Sequence, residues 1–163
     1  MRALLPLAAL FALAGCGLQP IYGGGAAGNA AVQGLAAVQV TPMPGRAGWL
    51  MANALDDRLS AAGKAAPRYR LDVRLDDRLE GLGLLNDDTI GRERRTLRAR
   101  YQLVDIASDE ILLDATAGSD AGIDVVSSEY ATIAAEQTAL ERLAGEVADQ
   151  IVTSVSLTLR NGR

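Results

Sequence analysis

Arg68-Tyr69-Arg70-Leu71-Asp72-Val73-Arg74-Leu75-Asp76 alternates strictly between charged and apolar side chains. Successive residues of a strand point to opposite faces, so Tyr69, Leu71, Val73 and Leu75 fall on one side and the charges on the other. A helix, with its 3.6-residue period, would scatter both sets around its circumference. The segment therefore predicts a half-buried strand, dry on one face and wet on the other. Such a strand needs a layer to cover its dry face, and the flanking sequence supplies both more strands and the cover.

Toward the C-terminus, residues 79 to 91 contain three glycines and Asp87-Asp88 and predict a loop. A second alternation follows, with Leu97, Ala99, Tyr101 and Leu103 set against Thr96, Arg98, Arg100 and Gln102. Ser108-Asp109 predicts a turn, and Glu110 to Thr116 a further strand that runs on past Gly118. Short links between one-sided strands are the mark of an antiparallel meander. Toward the N-terminus, Leu35 to Thr41 predicts a first strand closed by Pro42 and Pro44. Arg46 to Ala62 predicts a helix, because Ala47, Leu50, Met51, Ala54, Leu55, Leu59 and Ala62 recur at three- and four-residue steps, with Gly63 as its stop. Trp49 falls off that stripe, and two readings are open for it, rim packing or an exposed contact.

The last element is a long helix opening at Ser127-Ser128-Glu129, where hydroxyls suit an N-cap and an acid suits the first turn. Ile133, Leu140, Ala144, Val147, Ile151 and Val155 line one face of it. Its end is open, because Thr153 to Thr158 alternates as a strand would. The order strand, helix, three strands, helix predicts an α+β fold: a two-layer sandwich with a mostly antiparallel four-stranded sheet and both amphipathic helices on one face.

Chemistry narrows quickly. The chain of 163 residues has no histidine and one cysteine, so triads and most zinc sites lack their usual base or ligand. Asp56-Asp57, Asp76-Asp77 and Asp87-Asp88 are sequence neighbours, whose side chains diverge on regular backbone. Calcium-loop spacing and a phosphate-binding glycine loop are both missing. No enzyme, metal or cofactor is expected. Arginine stands out instead: nine of the fifteen lie between residues 68 and 100, against a single lysine, Lys64. If the two alternating strands pair, Arg68, Arg70, Arg74, Arg98 and Arg100 share the wet face. Guanidinium forks take phosphate or carboxylate bidentately. Asp72, Asp76, Asp77, Glu80 and Glu93 interleave with them, so a solvated face of mutual ion pairs accounts for the same residues.

The N-terminus decides the compartment. Met1-Arg2 is followed by an apolar run from Ala3 to Ala12, too short to span a bilayer, and then by Leu13-Ala14-Gly15-Cys16. This pattern resembles a bacterial lipobox, which implies cleavage before Cys16 and acylation of its thiol, with two or more chains anchoring stably. Residues 1–15 are then the signal peptide, 16–34 a tether rich in glycine and alanine, and 35–160 one domain. Cleavage removes Arg2 and leaves 15 basic against 20 acidic residues, a net charge of −5, which gives no reason to expect nucleic acid.

Cys16-Gly17-Leu18-Gln19-Pro20-Ile21-Tyr22-Gly23 resembles the start Cys-Gly-Phe-x-Pro-Leu-Tyr-Gly of alphaproteobacterial members of the lipopolysaccharide-assembly lipoprotein family, LptE. The resemblance implies the same two-helix, four-strand architecture. It also implies an outer-membrane lipoprotein that plugs a large lipopolysaccharide-translocating β-barrel, with lipopolysaccharide itself a possible direct ligand of the arginine face. Lack of Asp after Cys16 is similar to the sorting signal for the outer membrane. The alternative function is an auxiliary periplasmic lipoprotein of an ABC-type lipid or solvent transport system.

Overall fold

The computed structural model describes residues 26–84 and 90–161. Residues 1–15, Cys16, the Cys16–Gly23 segment and Asp87-Asp88 lie outside the described residues. Four strands, β1 (Val38–Val40), β2 (Tyr69–Leu84), β3 (Ile90–Asp105) and β4 (Ile111–Asp124), form one sheet in sequence order. β1 runs parallel to β2, and β2, β3 and β4 form the antiparallel meander. Three helices, α1 (Ala26–Ala36), α2 (Gly45–Ser60) and α3 (Glu129–Asn161), complete the two-layer α+β sandwich.

The period-two pattern does the sorting. Leu71, Val73, Leu97, Ala99, Tyr101 and Leu103 are buried with Met51 and Leu55 of α2 and with Leu143, Val147, Ile151 and Val155 of α3. Each fully buried leucine contributes roughly 1.5–3 kcal/mol relative to leaving it exposed. At one point the packing needs a glycine: a Cβ on Gly48 would lie 2.7 Å from the Met43 carbonyl oxygen. Arg58 ties the two main helices together, bonding Asp149 and donating to the Gly145 carbonyl at 3.0 Å.

The structure differs from the sequence expectations at three places and settles a fourth that was open. The predicted loop at 79–91 is mostly strand, since β2 continues to Leu84 and β3 begins at Ile90. There β2 carries Gly81 and Gly83 and pairs with the charged residues 92–95 of β3, which are held by Arg95–Asp77 at 2.7 Å and Arg92–Asp124 at 3.2 Å, so a search for apolar alternation passes over both. Leu35 belongs to a helix and not to the first strand, and the tether's second half, from Ala26, is that helix. Alanine serves a spacer and a helix alike; here Ala31 and Leu35 are buried and Gly34 lies against Leu159 of α3. The open end of α3 is helical through the alternating Thr153–Thr158 run, whose threonine hydroxyls donate to the carbonyls four residues back. Finally, the Ser127 and Ser128 hydroxyls do not cap α3. Instead the Thr132 hydroxyl accepts the Val126 N–H at 3.3 Å, and the Ser128 carbonyl receives the first helical N–H groups.

Candidate functional site

The wet face of the sheet is a lattice of charge. Register places Arg70, Asp72, Arg74, Asp76, Arg78 and Glu80 of β2 beside Val104, Gln102, Arg100, Arg98, Thr96 and Arg94 of β3. On the far side β4 presents Asp114, Thr116, Gly118, Asp120, Gly122 and Asp124. Among the described residues the helices pack on the opposite face and none lies on this one.

Most of its arginines are engaged. Arg100 forks onto Asp114 at 3.0 and 3.2 Å, and Gln102 donates to the same carboxylate at 2.8 Å. The Arg100 hydrogen bond, and then that of Gln102, holds the Asp114 carboxyl below the usual carboxylate range. Arg70 bonds Asp72 at 2.9 Å and approaches Asp109 at 3.6 Å. Burial pushes Asp72 up, but hydrogen bonds from Thr41 and Arg70 outweigh it and leave the carboxyl lowered. Arg68 reaches Asp105 at 3.4 Å from the end of the sheet, where its guanidinium stands 5.0 Å from the Tyr69 ring. Arg78 bonds Asp76 at 3.1 Å.

Two of the five candidate arginines are left over. Among the described residues, Arg74 and Arg98 take part in no side-chain hydrogen bond and no ion pair. Arg74 stands directly opposite Arg100, a like-charged partner already committed to Asp114. Arg98 stands opposite Asp76, whose carboxylate is taken by Arg78. Both line a depression of about 570 Å³ on the sheet face, with Thr96, Arg100, Thr116 and Gly118 among its walls. Gly118 makes room for it: a Cβ there would come within 3.2 Å of Arg98 Cγ, so the arginine stem lies across the glycine. From the helix side, Gln150 grips the Gly118 backbone at both N–H and C=O, each at 3.3 Å.

The structure thus keeps Arg68, Arg70, Arg74, Arg98 and Arg100 on or beside one face but divides them by engagement. Arg68 sits at the end of the sheet, apart from the depression. Sequence shows which face an arginine occupies, whereas its pairing depends on register across β3 and β4. The roles of Gly118 and Gln150 carried no sequence signal, because their contacts cross 32 positions. Trp49 is 65% exposed on α2. Among the described residues no group of side chains is arranged to hold a metal ion, and no helix is long and apolar enough to cross a membrane.

The described residues thus form a small two-layer α+β sandwich with one helix-covered and one open, arginine-lined sheet face. The chain belongs to the LptE lipopolysaccharide-assembly family, whose model matches residues 35–155. Its fold is shared with lipoproteins of known structure. A candidate lipoprotein from Caulobacter crescentus aligns at TM-score 0.67 with 23% identity, over 80% of this chain and 96% of that one. Lipoprotein B from Nitrosomonas europaea aligns at 0.60 with 14% identity, over 77% and 83%. A minor lipoprotein from Acinetobacter baumannii aligns at 0.57 with 16% identity, over 74% and 88%. No curated protein sequence matches the chain.

Proposed function

We propose that this lipopolysaccharide-assembly protein is anchored in the outer membrane through acylated Cys16 and seats in the lumen of the lipopolysaccharide-translocating β-barrel. There it supports folding of the barrel and passage of lipopolysaccharide to the outer leaflet; no bond is made or broken. Family membership favours this role over the transport-accessory alternative. The observation that carries the site is the pair of unengaged guanidiniums, Arg74 and Arg98, at the depression on the open face. Each offers a planar fork suited to phosphate or carboxylate, the anionic groups of a lipopolysaccharide core, and neither has a carboxylate to give up first.

Replacing Arg74 and Arg98 together by glutamate is expected to weaken lipopolysaccharide binding about tenfold or more, since each charge-assisted hydrogen bond contributes roughly 1.5–3 kcal/mol. Loss of binding should be steepest at low salt, where exposed charges are least screened. Replacing Arg68 and Arg70 serves as the control and should change binding less. Binding unchanged in the Arg74/Arg98 variant, by titration calorimetry at low ionic strength, would return the face to simple solvation.

A further inference from the structure

The sheet has two edges, and they are treated differently. Along β4, Gln150 caps the outward backbone of Gly118, Ser119 is bonded to Glu146, and Asp114, Asp120 and Asp124 stand at alternate positions. Charge and capping of this kind discourage strand addition. β1 itself, Val38-Gln39-Val40, carries no charge and, among the described residues, no side-chain cap. The Ala37 carbonyl accepts from Tyr69 at 3.1 Å, and the Thr41 N–H donates to Leu71 at 3.0 Å. In a parallel ladder of this register Gln39 also bonds β2, so the N–H and C=O groups of Val38 and Val40 point away from the sheet. Among the described residues they have no partner outside the strand. They open into a groove of about 570 Å³ between β1 and the C-terminal half of α2, lined by Leu35, Val38, Val40, Asp56, Asp57 and Lys64. The carboxylates of Asp56 and Asp57 are exposed and in no ion pair among the described residues.

We propose that this groove receives an extended segment of the barrel partner, which adds to β1 as a fifth strand; the inference rests on the barrel reading above. The edge specifies the occupant's backbone. Two outward N–H and two outward C=O groups at this spacing are matched group for group by another extended chain. The α2 wall specifies its side chains: a small or apolar residue turned toward Leu35 and Val40, and a lysine or arginine at Asp56-Asp57. A helix or a lipid headgroup would leave the alternating backbone groups unmet. A second copy of this chain would set its own Asp56-Asp57 pair against this one, with Lys64 the single base in each groove.

Amide hydrogen exchange on the full chain, alone and in the detergent-purified complex with its barrel, tests this. The Val38 and Val40 amides should exchange at least tenfold more slowly in the complex. Asp56→Lys/Asp57→Lys, on an exposed helix surface, should lower recovery of the barrel at least tenfold while leaving the melting temperature in place. Val40→Pro, which removes an outward donor that β2 does not use, should also lower recovery of the barrel, with some loss of melting temperature because Val40 packs on the core. A barrel that copurifies while exchange at Val38 and Val40 is unchanged overturns the groove and leaves the function standing. Failure of any barrel to copurify removes both. Slow exchange already present in the isolated chain, released by deleting residues 16–25 or by dilution, would assign the edge to this chain's own N-terminal segment or to a second copy, and would likewise overturn the proposal.

Discussion

Gly48 sits in the first turn of α2, where alanine would still be the better helix former, by up to roughly 0.5–1 kcal/mol. Here the Met43 backbone closes on it, with the carbonyl carbon and the Met43 Cβ each 2.8 Å from where a Cβ would stand. Gly48→Ala is therefore expected to destabilise the domain by about 1–2 kcal/mol, the cost of overpacking less the propensity gain. Gly145→Ala is the matched control. Its nearest neighbour would be an Arg58 nitrogen at 3.6 Å, an ordinary contact, so it should be neutral or stabilising. Thermal melts of the two variants check the pair, and equal shifts would contradict the contact. At this scale the sequence was partly legible. Alternation assigned Leu71, Val73, Tyr101 and Leu103 to the core correctly, but nothing in it marks Gly48 as the point where the chain doubles back.

The elements were legible wherever one period dominated. The near half of β2 and the whole of α2 follow directly from their patterns, α2 within two residues at its ends. The far halves of β2 and β3 were not, because Gly81 and Gly83 interrupt β2 there and a run of charges from Arg92 to Arg95 replaces apolar alternation in β3. The end of α3 was ambiguous for a different reason: β-branched residues spaced by two fit either element, and packing decides. Val155 and Ser156 are both buried although adjacent, which a one-sided strand does not allow, while Leu157 is 40% exposed. Val155→Ala is thus expected to cost roughly 2 kcal/mol by leaving a cavity against the sheet. Leu157→Ala should stay within about 0.5 kcal/mol. Denaturant unfolding of both variants gives the comparison; equal losses would argue for the strand. α1 was missed because its alanines and glycines read as a spacer, and its docking against Leu159 depends on a helix more than a hundred residues away.

For the whole molecule, ion pairs spread over the open face and the helix layer set the response to acid. Asp149, bonded by Arg58, Asp105, bonded by the Ala107 N–H, and Asp72 and Asp114 all have carboxyls lowered on folding. A carboxyl lowered in the folded state adds stability that is present above its unfolded pKa and is lost as pH falls through the folded value. With no histidine to titrate near neutrality, the melting temperature should be level between about pH 5.5 and 8 and should drop below roughly pH 4. A fall between pH 7 and 6 would contradict this assignment of the titrating groups. The presented face, in turn, was visible in sequence only as an excess of arginine, because which guanidiniums stay unengaged emerges once three strands are in register. The central claim is that this chain works seated in an outer-membrane barrel. Its most direct test is a pull-down of the tagged, lipidated protein from detergent-solubilised envelopes, with partners identified by mass spectrometry. A large outer-membrane β-barrel recovered in about equimolar amount is the predicted result; recovery of inner-membrane ABC-transport components with no barrel would contradict it.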